Sequence, residues 1–374
     1  MNLFDFVIIG SGCAGLAVAR ELAATDYLGS VLLVDAKQQF DNDKSWSFWA
    51  TADSPWYTLA RYRWQYSTLS TTDKQVSLCY QNYRYCMLPS IDYYQYCVDK
   101  LAANTQIRFN TNVKDIDYCD QTKQFTITLT DSSFIVAKHV LDTRPIFNKP
   151  RYYQQFKGIE VELDNAISAP ESVRLMENMH SVGKGILFFY ILPLSATRLL
   201  IEPTYFGTQH QDYEWLESLA FDWLKENQLT YKRIIRSEQG MLPMGGVTTK
   251  KMSYDLGGIA ANNLKGASGY GFLNIQKWST EYVHQLTKHK QATKKPTRLQ
   301  LLHLMDNLFI DVLITEPTIT PQLMMSTAMA LPNDKFAKFM TEQSSWSELA
   351  CLLMQFPKLP FLKALYLRIC QTHD

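Results

Sequence analysis

The 374-residue sequence has no C-x-x-C pair, no histidine spacing typical of a metal site, no apolar run able to cross a bilayer, and no excess of either charge. Each absence excludes a class of protein. The seven cysteines (Cys13, Cys79, Cys86, Cys97, Cys119, Cys351 and Cys370) are scattered and odd in number. That suits inert thiols in a reducing compartment and argues against a disulfide framework. The seven histidines show no ligand spacing, so no metal is expected. The longest apolar run, residues 186–194, is interrupted by Pro193 and falls far short of the roughly 20 residues a spanning helix needs. With 37 basic and 36 acidic residues the formal charge is +1, too balanced for a nucleic-acid surface. The apolar residues 6–9 meet a glycine turn rather than a small-residue cleavage site, so no secretory signal is expected.

Aromatic residues, by contrast, are plentiful: 21 Tyr, 19 Phe and 8 Trp. They suit either a well-packed core or an aromatic-lined pocket for a large apolar ligand. The length allows two domains.

The clearest pattern is at the start of the chain. Residues 4–9 read as a buried parallel strand, followed by Gly10-Ser-Gly12-Cys-Ala-Gly15, a helix over 16–25, and a second buried strand over 31–34 that ends at Asp35. This is the strand–turn–helix–strand context that a G-x-G-x-x-G motif requires. Gly10 permits the tight turn, Gly12 lets the backbone approach a pyrophosphate, and Gly15 lets helix and strand pack closely. The phosphates then meet free N–H groups at a helix N-terminus. Asp35, 20 residues past Gly15, is placed to accept ribose hydroxyls and disfavours a 2′-phosphate.

Beyond Asp35 the regular alternation stops. Strands are expected at 75–84, 106–112, 125–130, 134–137 and 139–141, and a helix at 91–103. A second, mostly antiparallel sheet is expected from 158–162, 185–192 and 198–202, with an amphipathic helix over 212–228. Glycine loops at 257–262 and 266–271 precede a helix over 272–288. Residues 299–374 read as helical, broken at Pro317, Pro321, Pro332, Pro357 and Pro360. A motif that begins at residue 10, an intervening antiparallel domain and a return to glycine loops favour FAD over NAD. The expected fold is α/β (α+β overall), with a Rossmann-like FAD-binding domain from residues 1–60, 91–145 and 238–290. An antiparallel-sheet substrate domain is expected from 61–90 and 146–237, and a C-terminal helical region from 291–374. Lys288, Lys290, Lys294, Lys295 and Arg298, with His284 and His289, form a basic run that is either a solvated stretch or a contact with anionic lipid.

Two further clusters carry chemistry. Glu202 ends an apolar strand after Phe188-Phe-Tyr190-Ile-Leu192-Pro193-Leu194. Desolvation there favours the protonated carboxyl, a proton donor in waiting, although an edge glutamate paired with arginine is the plainer alternative. Trp46-Ser-Phe48-Trp49 could be core, or could line a tunnel whose ring faces stabilise a cation.

These segments resemble the flavin-dependent lycopene cyclase family. The resemblance spans the N-terminus to about residue 365. It rests on Gly10 to Gly15, Trp46 to Trp49, Leu141-Asp142-Thr-Arg144-Pro145, Tyr153-Gln154-Gln-Phe156-Lys-Gly158, Phe188 to Thr204, Glu238-Gln-Gly240-Met-Leu-Pro243-Met244, and Ser268-Gly269-Tyr270. Met176-Glu177 stands where the family usually has Met-Asp, and Ser268 where it has Thr. The resemblance implies cyclisation of acyclic carotene ends to β-ionone rings, with Glu202, in the family's E-x-T element, as the acid. It implies reduced FAD, supplied with electrons by NADPH or NADH, although the net reaction moves none. The expected cofactor residues are Gly10, Gly12, Cys13, Ala14, Gly15, Asp35, Asp142, Gly258, Gly269 and Tyr270. Trp46, Phe48, Trp49 and Tyr190 are expected to line the substrate pocket. A carotenoid substrate also implies peripheral association with the inner face of the cytoplasmic membrane; the apolar C-terminal segment Leu352 to Lys363 is either the contact or a pair of core-packed helices. The rival readings are a flavin monooxygenase or dehydrogenase acting on an apolar substrate, and a flavoprotein that binds carotenoid or lipid without turnover.

Overall fold

A computed structural model describes residues 3–145, 148–247, 249, 251–288 and 300–371. The chain opens with β1 (Leu3–Ile9), α1 (Cys13–Ala23), β2 (Val31–Val34), β3 (Ser45–Thr51), α2 (Pro55–Leu59), β4 (Tyr62–Trp64), β5 (Tyr66–Thr71) and β6 (Gln75–Cys79). It continues through β7 (Tyr83–Pro89), α3 (Ser90–Val98), β8 (Thr105–Arg108), β9 (Val113–Cys119), β10 (Gln124–Leu129) and β11 (Phe134–Asp142). Next come β12 (Tyr152–Leu163), β13 (Ser172–Val182), β14 (Gly185–Ser195), β15 (Arg198–Gly207), α4 (Tyr213–Glu226), β16 (Tyr231–Met244), β17 (Asp255–Leu256) and α5 (Phe272–Thr287). The last helices are α6 (Gln300–Thr315), α7 (Thr320–Ala330), α8 (Asp334–Met340), α9 (Trp346–Gln355) and α10 (Lys358–Gln371).

The apolar strands β1 and β2 lie inside the first sheet, ordered β8-β2-β1-β11-β10-β9, with β17 also pairing β11. Its central pairings, β8 to β2, β2 to β1 and β1 to β11, are parallel. Phe6, Ile8 and Leu33 pack under α1, α3 and α5, while Val7, Ile9 and Leu32 face a second cluster with Phe125 and Ile127. A doubly buried parallel sheet explains the near-continuous apolar runs.

A second seven-stranded sheet runs β16-β12-β15-β14-β13-β5-β6, and β3, β7 and β4 form a smaller one. Alternation sorts the faces of the large sheet. Ile159, Val161, Phe189, Ile191 and Ile201 pack against Trp223 and Leu224 of α4. On the other face Phe188, Tyr190, Leu192, Leu200 and Phe206 meet Ile310, Leu323, Phe336 and Leu352 from the C-terminal helices. The prolines there fit without breaking these helices. Pro321 lies in the first turn of α7 and Pro360 in the first turn of α10, where a missing N–H costs no helical bond.

Several elements differ from the sequence reading. The strand expected over 75–84 is two strands, because Asp334 takes the backbone N–H groups of Gln81 and Asn82 and holds a turn there. Strands β3, β4, β5, β9, β13, β16 and β17 lie outside the expected set. β13 is kinked by register shifts, and β16, at the sheet edge, is largely exposed and polar, so neither alternates cleanly. β16 carries residues 238–244 into the large sheet, although they were expected in the nucleotide domain. Within 61–90 only β5 and β6 join the large sheet. The basic run beyond Lys288 lies outside the described residues. Among the described residues no helix is long and apolar enough to cross a membrane, and no acid, cysteine or histidine group could hold a metal.

Candidate active site

The glycine turn leaves open space before the N-terminus of α1. Gly10 adopts φ +96, which a side chain would strain. A Cβ on Gly15 would stand 1.9 Å from the Gly10 carbonyl oxygen, so only glycine lets α1 approach β1 this closely. A Cβ on Gly12 would meet nothing within 4 Å, so this point faces open space. Helix α1 has no side-chain cap and no acid in its first turn, leaving its N-terminus free for an anion. At the tip of β2, Asp35 accepts from the Ser11 backbone N–H at 2.7 Å, the Ser11 hydroxyl at 2.8 Å and the Lys37 N–H at 2.9 Å. Gly258, at φ +61, abuts Ala14 and closes the turn from the late glycine loops.

Two cavities adjoin the late glycine loop at residues 266–271. One, of about 680 Å³, is lined by Trp46, Gln154, Glu202, Glu238, Gly269 and Phe272 among others. The other, of about 1060 Å³, lies between the large sheet and the C-terminal helices, with Trp49, Met176, Phe309, Phe336, Phe356 and Phe361 in its almost wholly apolar wall. Tyr190, Ser268 and Tyr270 line both. The arrangement is a greasy tunnel that ends at two carboxyls.

Around that end the rings are packed face and edge. Trp49 lies 4.7 Å from Tyr85 and 5.2 Å from Tyr270 between centroids. The hydroxyls of Tyr85 and Tyr270 share a 3.1 Å hydrogen bond. Burial pushes the Tyr85, Tyr190 and Tyr270 hydroxyls up, so all three keep their protons. These ring faces suit a cation.

The carboxyls meet by sheet register. Gly158 of β12 pairs with Glu238 of β16, and the β12–β15 register sets it opposite Glu202. A Cβ on Gly158 would stand 3.2 Å from a Glu202 carboxyl oxygen and 3.2 Å from the Glu238 Cγ, so both side chains lean over the glycine. Burial raises the Glu202 carboxyl well above the usual carboxylate range, and the charge of Glu238 raises it further, with Arg236 opposing. Glu238 Oε2 accepts from Arg236 at 3.0 Å. Arg236 is itself held by Glu160 and the Ser45 hydroxyl, both at 2.7 Å.

Residues 5–366 match the family profile described as Lycopene cyclase protein. The chain belongs to the lycopene cyclase family. A lycopene beta-cyclase from Pantoea ananas is 21% identical to it over 391 aligned positions, covering 99% of each chain. One from Paracoccus sp. (strain N81106 / MBIC 01143) is 29% identical over 168 residues, 42% of each chain. Among solved structures, a geranylgeranyl bacteriochlorophyll reductase-like protein from Thermoplasma acidophilum superposes with TM-score 0.62 at 11% identity, covering 98% of this chain and 99% of that one. HpxO from Klebsiella pneumoniae, complexed with FAD, gives TM-score 0.55 at 12% identity, covering 91% and 98%. The fold is therefore that of FAD-binding, Rossmann-type flavoproteins with appended helices.

Within this lycopene cyclase fold the expected residues fall into three groups. Gly10, Gly12, Cys13, Ala14, Gly15, Asp35 and Gly258 gather at the turn. Glu202, Trp46, Trp49, Tyr190, Gly269 and Tyr270 line the cavities. Tyr270, expected on the cofactor side, packs on Trp49 at the junction of the two cavities. Asp142 ends β11 in register with Ile9, next to the glycine turn, and neither it nor Phe48 lines the two cavities. Both Asp142 carboxylate oxygens are engaged by Arg144, at 2.7–3.1 Å, and the residue is fully buried. Phe48 stacks on Phe272 at 4.8 Å within the core, and borders a small pocket together with Trp49, Tyr270 and Met340. Glu177 is tied to Arg174 at 2.7 Å. Glu238 was missed as a site residue, though the Glu238-Gln-Gly240 segment had been singled out.

Proposed function

We propose that this chain is a lycopene β-cyclase, which closes acyclic carotene ends into β-ionone rings without net redox change. The observation that carries the reading is Glu202: a carboxyl held protonated by burial, in a cavity that adjoins a larger, almost wholly apolar one. Glu202 donates its proton to the terminal alkene, and the tertiary cation that results is attacked by the neighbouring double bond. Trp49, Tyr85, Tyr190 and Tyr270 surround the charge with ring faces and offer no basic oxygen to trap it.

The residues present suit FAD. Beyond the glycine turn, Gln154 Oε1 and Ser268 Oγ are buried in the smaller cavity with no hydrogen-bond partner, as expected where a polar cofactor edge completes the site. Gly10, Gly12, Gly15 and the N-terminus of α1 would hold the pyrophosphate, and Asp35 the ribose. When bound in its reduced form, the flavin supplies negative charge beside a developing carbocation, with NADPH or NADH as the external reductant.

Expression in lycopene-accumulating cells tests the reading. The expected pigment keeps the mass of lycopene but changes absorption and chromatographic retention. A product heavier by oxygen, or lighter by hydrogen, would establish the monooxygenase or dehydrogenase alternative. Unaltered pigment bound to protein would mean a carrier without turnover.

A carotene must be drawn from a bilayer, and α9 and α10 present the surface for it. Leu353, Phe356 and Phe361 line the tunnel, while Met354, Leu359, Leu362 and Tyr366 beside them are exposed, Leu359 at 78%. Lys358 and Lys363 flank this patch, an arrangement that suits an anionic surface. Leu352, included with this segment in the sequence reading, is buried core. The double substitution Leu359→Glu with Leu362→Glu is expected to release the protein from anionic vesicles in a flotation assay without unfolding it. Unchanged flotation would remove this helix from the membrane contact.

A further inference from the structure

We propose that Glu238 is the base of the ring-closing reaction, taking the proton that the new ring gives up and returning it to Glu202. The proposal rests on the cyclase reading and adds a second catalytic carboxyl to it.

Four observations converge. Glu238 lines the same cavity as Glu202, one strand away on either side of Gly158, where the missing side chain leaves room for the two to meet. The residue is 5% exposed, and its Oε1 has no hydrogen-bond partner, which is costly for a buried oxygen unless it has a task. Its Oε2 is anchored by Arg236, itself fixed by Glu160 and Ser45, so the free oxygen is held in place. Arg236 also provides the counter-charge a carboxylate needs to remain in so apolar a place. The charge of Glu238, after burial, helps keep the proton on Glu202.

The step balances without any outside reagent. The O–H bond of Glu202 breaks as a C–H bond forms at the terminal alkene carbon. The neighbouring alkene closes the ring and carries the positive charge into it. An adjacent ring C–H bond then breaks, its electron pair becomes the ring double bond, and the proton passes to Glu238. Transfer between the neighbouring carboxyls restores Glu202–H and Glu238 carboxylate. Because several C–H bonds flank such a cation, the position of the base also selects which ring isomer forms.

The test uses the full-length FAD-bound protein and its products in lycopene-accumulating cells. Glu238→Gln is expected to lower ring formation by about 10²-fold or more, or to yield rings with a displaced double bond or a water-derived hydroxyl. Wild-type rate and ring isomer in this variant, with FAD bound, would overturn the proposal. Should the variant not hold FAD, the wild-type enzyme decides the matter in D2O under multiple turnover. Proton return predicts well under one deuterium per ring, and one full deuterium per ring would overturn it. If the wild-type chain forms no rings at all, the cyclase reading has failed; if it forms rings that Glu238→Gln leaves unchanged, only the role of Glu238 has.

Discussion

Glu202→Gln is expected to abolish ring formation, with a loss of at least about 10²–10⁴-fold, in a protein that keeps its FAD. The substitution preserves shape and removes the one property on which the mechanism depends, a proton that an alkene can accept. Glu202 is remote from Gly10, Gly12 and Gly15 in the chain and sits on the large sheet, so the nucleotide cradle should be unaffected. Full cyclisation by this variant would end the assignment of Glu202 as the acid. The same group predicts a pH dependence. Activity requires protonated Glu202, whose carboxyl is raised well above its ordinary value of 4.5 by burial and by Glu238, so activity should persist above pH 4.5 and fall as pH rises through the folded-state value. For stability the sign is fixed by linkage. The folded state holds this proton more tightly than the unfolded chain. Its contribution is therefore fully present below about pH 4.5 and is lost as pH rises toward and through the folded-state value. Thermal unfolding of Glu202→Gln should lack that part of the slope, and parallel melting-temperature profiles for the two proteins would contradict the assignment.

How much of this was legible in the residues depends on how local the determining physics is. The glycine turn was readable because turn, helix and strand lie within one short stretch, and its close packing has a steric reason that operates over a few residues. Glu202 was readable for a similar reason: an ionisable group ending an apolar strand is conspicuous in one dimension. Its partnership with Glu238 was not. That contact depends on β12 lying between β15 and β16, and on Gly158 falling opposite both acids, a register set by the assembled sheet. The chemistry of Glu238 was further masked because β16 is a polar edge strand that does not alternate. Phe48 and Trp49 make the same point. Adjacent aromatic residues on a strand face opposite ways, so one joins the nucleotide-domain core and the other the tunnel, and composition could not sort them. Asp142 was expected at the cofactor through the family resemblance alone, and Arg144, two residues on, engages both its oxygens.

Substitutions at two glycines should separate folding from cofactor binding. Gly15→Ala places a methyl group 1.9 Å from a backbone oxygen, and backbone cannot move aside as a flexible side chain can. The helix must back away from the strand at a cost of about 1–3 kcal/mol or more, and the cradle opens as it does. The variant is expected to melt several degrees lower even without cofactor, and to retain little FAD on purification. Gly12→Ala is different. Its methyl group would stand in open space, at a backbone φ of −83 that alanine tolerates, so the protein without cofactor should lose less than about 1 kcal/mol. That open space is where the phosphates must come closest to the chain. The same methyl group should therefore weaken FAD binding by about tenfold or more, equivalent to about 1.4 kcal/mol. Titration of FAD by fluorescence quenching, paired with thermal melts of both proteins without cofactor, reads the two effects independently. Undiminished FAD affinity in Gly12→Ala would place the pyrophosphate elsewhere, and a Gly15→Ala protein as stable as its parent would refute the close packing of α1 on the turn.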